Sequence, residues 1–489
     1  MIGENGLDKA KNQAYNQDVI LVWAIFLTLF IGVFLVSFGL NLPLIGLGLA
    51  FFGLIFAYRY TYFTFYLALL LLPFLGITIS ISTGDLKLGT RAFGGSIDLY
   101  VGEVILLCVL GAWAIKVFRL WKKRGDVSWR PKLPILKSYV ALVGAHVISL
   151  FSGYGPDLVQ GLKFILRPVI FCYLAFIVLP VNLIRSRRRL KVALGILVVV
   201  GCIAALNGLV SLGSVIAVGS LIRRAHPISL FGLNPIGDNH NVLAELLLAT
   251  GPMALALGAL AKKASWRRVL YGLAIVQILV ALLTFARTAW LVCLAQLAFL
   301  LVTIWRPAIK RHLSELLFLI LLITPLAWFQ LQVSFSSTAQ SSNLTRWMLT
   351  DIAYQAFLEH PWIGNGAGTF TTRVGNARLF YQEFGDPLDA HGVIQKIMVE
   401  AGSLGVLAYI LVLLQCALVA RRQLRGMKGH DALAAYALVA AGGGAFAYQF
   451  LNTAYWTAHM WLPVGLMFAG LIVLKVDEQP KAEDYLAPS

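Results

Sequence analysis

The run VILVWAIFLTLFIGVFLVSFG, Val19–Gly39, decides the fold class. It is apolar on every side of a helix, long enough to cross a bilayer, and shows none of the alternation of a barrel strand. The same reading applies to FYLALLLLPFLGITI, Phe65–Ile79, and runs of this kind recur along all 489 residues. A mean hydropathy of +0.80, with 59% hydrophobic and 13% charged residues, excludes a soluble globular chain. In hydrocarbon each backbone polar group must be satisfied within its own segment, so non-alternating runs specify helices. The expected fold is all-α: a polytopic bundle of about 12–14 transmembrane helices with one long periplasmic loop containing short helices. About fourteen spans are expected, centred near residues 29, 50, 71, 108, 143, 171, 202, 250, 276, 296, 322, 409, 441 and 466. The first run follows a polar leader and is too long for a cleaved signal. Cys108, Cys172, Cys202, Cys293 and Cys416 lie singly within apolar runs and read as small core residues.

Basic residues cluster on alternate connections, notably 119–132, 185–191, 262–268, 306–311 and 421–428. By the positive-inside rule these are cytoplasmic, which puts both termini inside a multi-pass membrane protein. The formal charge of +18 is then topological and faces anionic lipid. The basic runs carry no interleaved stacking aromatics, so nucleic acid is not an expected partner. Three segments follow: a helical bundle over 1–331, a periplasmic loop over 332–397 that carries the chemistry, and helices with a cytoplasmic tail over 398–489.

Arginines on the outer connections run against this topological signal and need another reason to exist. Arg287, in LLTFARTAW, sits between two apolar runs joined with almost no turn, a costly place for a charge unless it meets an anion. The bland alternative is an interfacial anchor, or a partner for Glu103 or Glu245. Arg223 and Arg224 open a Gly-, Pro- and Asn-rich loop that re-enters a helix near Asn241, and two adjacent guanidiniums suit a diphosphate. A headgroup-binding pair at the interface is the plainer reading. His226 and His240 in that loop fit no metal spacing and read as satisfied polar histidines. In the long loop, SSNLTRWMLTDIAYQAFLEHPWIG predicts an amphipathic helix started by Ser342 or Asn343 and ended by Pro361. Its apolar stripe would be Leu344, Trp347, Met348, Ile352 and Ala356, with Arg346 projecting away from it. GNGAGTF is a glycine-rich turn too irregular for a nucleotide-binding loop. His391 follows Asp386 and Asp389 and leads directly into a helix containing Glu400; a neutral imidazole there can take a proton from a sugar hydroxyl, oriented by a nearby carboxylate. No clustered carboxylates suggest a metal-bound sugar nucleotide, and neither metal nor cofactor is expected.

Three places resemble the O-antigen ligase and polymerase superfamily. TFARTAW resembles its Ser-Arg helix pair, with Ala286 where serine is common. HPWIGNGAGTF resembles its His-Pro-aromatic loop followed by glycines. His391-Gly392, nine residues, then Gly402-Ser403-Leu404-Gly405 resembles the ligase pattern of His, a small polar residue, nine residues and Gly-x-x-Gly, with Gly392 in place of Asn, Ser or Gln. Departures are visible too: Arg346 is followed at the Arg-x3-Leu spacing by Thr350, and Arg224 lies further from Asn241 than the family's spacing. The likeness spans roughly residues 220–415. It implies a glycosyltransferase that takes a glycan from undecaprenyl diphosphate on the periplasmic side. Arg224 and Arg287 would hold the diphosphate and stabilise the leaving charge, with Arg223, Arg346, Asp389 and Asn241 contacting substrate and His391 as general base. The expected reaction is inverting and metal-independent, joining the glycan to lipid A-core as a ligase. A polymerase is the alternative, weakly disfavoured because neither Arg223 nor Arg224 has glycine at the polymerase's Arg-x10-Gly spacing. A glycan or anion transporter is a third reading, and the chain shows no inverted repeat to support it.

Overall fold

The computed structural model describes residues 42–74, 96–124, 131–152, 158–213, 222–229, 236–237, 239–304, 337–385, 387–452 and 458–475, with short pieces within 78–92, at 217–218 and within 324–332. The expected spans near 29 and 322, and Asp386, lie outside the described residues.

The architecture is an all-α polytopic membrane bundle. Eight helices among the described residues are long and apolar enough to cross a membrane: Val101–Leu120, Gly161–Leu183, Arg187–Ser211, His240–Ala259, Ala264–Leu283, Arg287–Ile304, Val393–Leu424 and Gly429–Gln449. Leu136–Ser149 and Met460–Lys475 are shorter apolar helices. The expected spans near 50 and 71 form a sharply broken pair, Phe51–Arg59 and Thr61–Leu71, bent by 116°. Twelve of the fourteen expected centres thus fall on or beside described helices. Two-stranded antiparallel ribbons, Thr78–Ser82 with Ser96–Tyr100 and Ala217–Val218 with Ile222–Arg223, occupy connections read as loops from the sequence, except that Thr78 and Ile79 end the run Phe65–Ile79 expected to be helical, whose helix stops at Leu71.

Burial sorts the helices. Among these eight spans the His240–Ala259 helix is the most enclosed and Ala264–Leu283 the least. On the Val393–Leu424 helix, Leu407, Leu411, Leu414 and Leu418 stand exposed at helical spacing. Such an outward apolar stripe is what lipid contact requires. Two buried carboxylates each accept a side-chain bond across helices: Glu103 receives Arg167 at 2.8 Å, and Glu245 receives Gln449 Nε2 at 2.5 Å. Pro168 lies in a widened π stretch, Ile165–Phe171, where its missing N–H interrupts the ladder; Tyr139 donates its hydroxyl to Val169 O at 2.7 Å.

Candidate functional site

The first wall of the site is the turn between Leu283 and Arg287. Phe285 adopts φ 52°, a left-handed conformation rare for a bulky residue, and closes the two helices with almost no linker. A helix end leaves its last carbonyls without partners. Here Ala225 N donates to Leu283 O at 2.9 Å and Arg224 Nε to Thr284 O at 2.7 Å, so the loop after residue 222 seals that end. Arg224 Nη2 also bonds His240 Nε2. Since a guanidinium only donates, His240 accepts through Nε2 and its ring is neutral. His226 donates its backbone N–H to Ser211 Oγ at 2.9 Å, and its ring Nδ1 lies 3.2 Å from Arg224 O. Burial pushes the Arg224 guanidinium down to about 10, still charged at neutral pH. Arg223 ends the short ribbon, and its side chain lies outside the described residues. Asn241 is in the first turn of its helix, capped by Asn239 Oδ1 at 2.8 Å, and its carbonyl accepts from Tyr448 at 2.8 Å.

The second wall is the helix Ser337–Glu359. It begins before Ser342 and Asn343, so neither caps it. Its buried face is Leu349, Ala353 and Ala356, while Leu344 and Trp347 are exposed. Of the expected stripe, Met348, Ile352 and Ala356 pack inward, and Leu344 and Trp347 do not. Arg346 lies on the inward face, three and seven residues before Leu349 and Ala353, with its Nε buried and unbonded among the described residues. Burial, and then Arg287, lower the Arg346 pKa, while the phenol of Tyr448 opposes them. Asn343, one turn earlier on that face, accepts from Arg287 Nη1 at 2.7 Å. Arg287 is thus held by Asn343 and not by Glu103 or Glu245, whose partners are Arg167 and Gln449.

The third wall is the segment that carries His391. The helix beginning at Val393 breaks at Gly402, φ 61° and ψ −160°. That break removes the ladder bonds from residue 403 to 399 and from 404 to 400. The HPWIGNG turn replaces each half: Ser403 N donates to Pro361 O at 2.8 Å and Leu404 N to Trp362 O at 3.1 Å, while Val399 O accepts from Asn365 N at 2.8 Å and Glu400 O from Gly366 N at 3.2 Å. A Cβ on Gly402 would stand 2.6 Å from Gly364 N, and one on Gly364 2.5 Å from Ala401 N. The two glycine motifs are therefore one interlock, which fixes the half-helix behind His391. Gly402→Ala is expected to cost at least about 2 kcal/mol, from left-handed strain plus overpacking. Gly426→Ala, also at positive φ but with nothing within 4 Å, should cost about 1 kcal/mol. Thermal midpoints of the two variants in nanodiscs would test the contrast.

Within the half-helix, Lys396 is buried between the rings of Phe164 and Phe370, its Nζ 5.4 and 5.9 Å from their centroids. It donates to Asp389 Oδ1 at 2.7 Å and lies 3.4 Å from Glu400 Oε1. Asp389 Oδ1 thus accepts from Lys396 and from Ala390 N, the latter at 2.8 Å. Its charge still reaches the imidazole. Burial, then Arg346, lower the His391 pKa, and Asp389 opposes them.

Arg224, Arg287, Arg346 and His391 therefore converge from four separate segments, linked through Asn343, His240 and Tyr448. None of the three arginines has an ion-pair partner among the described residues. No group of three His, Cys, Asp or Glu side chains that could hold a metal occurs among the described residues. Lys396, Gln395 and Tyr448 were not singled out from the sequence, and Asn343 was read only as a helix cap. A polar residue within an apolar run, or an aromatic near the end of a span, was the available signal.

Residues 272–410 match the family model described as O-antigen ligase. This segment is similar to the O-antigen ligase superfamily. No curated protein matches the chain. The matched segment contains Arg287, Arg346, His391 and both halves of the glycine interlock. Arg224, Asn241 and Tyr448 come from outside it, so the cluster draws on more of the chain than the matched region.

Proposed function

We propose that the protein is an O-antigen ligase-type glycosyltransferase of the bacterial inner membrane, with both termini cytoplasmic and its site periplasmic. It moves a glycan from undecaprenyl diphosphate to a hydroxyl of lipid A-core, with inversion and without a metal. One observation carries this reading: Arg346 acts on both Arg287 and His391 and shares His240 with Arg224, and among the described residues none of the three guanidiniums has an ion-pair partner. Like charges so placed repel, and a diphosphate relieves that repulsion. Of the five N–H donors on each guanidinium, the bonds described above use two on Arg224 and one on Arg287, so donors remain for phosphate oxygens. His391 takes the proton of the acceptor hydroxyl as its oxygen attacks the anomeric carbon. The bond from that carbon to the diphosphate breaks, and the arginines stabilise the charge that collects on the leaving group. The superfamily's association with membrane glycan transfer supports the same chemistry.

The test is the lipid product formed when purified protein in nanodiscs meets an undecaprenyl-diphosphate glycan with lipid A-core, or with a second lipid-linked glycan. Glycan on lipid A-core is the expected result. A lengthened donor glycan would make the protein a polymerase of the same superfamily, and no turnover of either would overturn the transferase reading.

A further inference from the structure

Gln395 lies one turn after His391 and has a carboxamide whose orientation its neighbours determine. Thr350 gives its single hydroxyl proton to Arg346 O at 2.7 Å, so its oxygen meets Gln395 only as an acceptor. Gln395 Nε2 donates to it at 2.7 Å. The carboxamide oxygen, Oε1, therefore points the other way. It is buried and has no hydrogen-bond partner among the described residues. A buried acceptor left unbonded is costly, so a donor belongs there.

The position of that oxygen narrows the donor. It stands 3.8 Å from where a Cβ on Gly392 would be, beside the histidine. Gly392 itself has no room for a polar side chain, because a Cβ there would lie 2.7 Å from Phe450 O. A diphosphate at neutral pH offers acceptors almost exclusively, and arginines are its complement. A neutral imidazole and a carboxamide oxygen are both acceptors, and together they complement adjacent hydroxyls. We propose that Gln395 Oε1 forms an acceptor-sugar subsite, binding a second hydroxyl of the sugar whose reacting hydroxyl meets His391. This inference rests on the glycosyl transfer proposed above.

The experiment uses the full-length protein in nanodiscs and an acceptor glycan whose terminal-sugar hydroxyls are replaced by hydrogen one at a time. Wild type is expected to lose about tenfold in kcat/KM on one deoxy acceptor other than the one lacking the reacting hydroxyl, the size of one lost hydrogen bond. Gln395→Met should show a similar loss on the parent acceptor and no further loss on that deoxy acceptor, with the KM for the lipid-linked donor unchanged. Gln395→Glu keeps an accepting oxygen and should keep the discrimination. An active wild type whose discrimination survives intact in Gln395→Met, or that discriminates against no such deoxy acceptor, overturns the subsite alone. A wild type inert towards every acceptor overturns the transfer reading and the subsite with it.

Discussion

His391→Ala is expected to lower glycan transfer by about 10²–10⁴-fold while leaving donor binding close to wild type. The separation follows from the division of labour in the site: the diphosphate meets guanidiniums, and the imidazole meets the acceptor hydroxyl. The pH profile carries the same logic with a defined sign. A general base works only as the neutral ring, so the rate falls as pH drops through the His391 pKa. Burial and Arg346 lower that pKa from its ordinary 6.5, against the opposing effect of Asp389. The acidic limb of the kcat/KM profile should therefore lie below about 6.5. Arg346→Gln removes a lowering charge and should move the limb upward; Asp389→Asn removes a raising one and should move it downward. Transfer rates against pH, beside a donor-binding measurement on each variant, check both effects. Retained turnover in His391→Ala would remove the histidine from the mechanism, and joint loss of binding and turnover would make it a donor-binding residue.

The sequence made the helices legible because hydrocarbon imposes one solution on an apolar run: the backbone must bond to itself. Arg287 was legible for the converse reason, since a charge between two such runs has no place to be satisfied by chance. The surroundings of the amphipathic helix were legible only in part. Its stripe of Leu344, Trp347, Met348, Ile352 and Ala356 reads equally as a face for the membrane surface or for the bundle, with Arg346 projecting away from it. Here Leu344 and Trp347 are exposed, and the inward face carries Asn343, Arg346 and Thr350 beside Leu349 and Ala353. Where the surroundings include lipid, apolar character does not mark the inside, and a polar side chain within an amphipathic helix is the better pointer. The glycines show another limit. HPWIGNG and Gly402 are distant in sequence, and only the reciprocal bonding between them explains why both are needed. Lys396 was hidden because its partners, Asp389, Phe164 and Phe370, come from three different segments.

Arg287→Lys is expected to reduce transfer by about 10²–10³-fold, the scale on which removal of one preorganised donor from a developing negative charge acts. Two features of its position set this expectation. Arg287 is the first residue of its helix, where the dipole and the uncommitted N–H groups already favour an anion. Asn343 then takes one of its terminal nitrogens at 2.7 Å, leaving the other nitrogens directed by a fixed plane. Lysine retains the charge but has no plane, so a bond to Asn343 gives no orientation to its remaining donors. Asn343→Ala separates charge from orientation: the guanidinium stays, its tether goes, and the loss should be smaller than for Arg287→Lys. Both variants keep the same net charge as wild type, so neither effect can be ascribed to overall electrostatics. The measurement is single-turnover transfer from an undecaprenyl-diphosphate glycan, with protein folding checked by thermal midpoint. A near-normal rate in Arg287→Lys would mean that charge alone suffices at this position, and Arg287 would then be an interfacial anchor and not a diphosphate ligand.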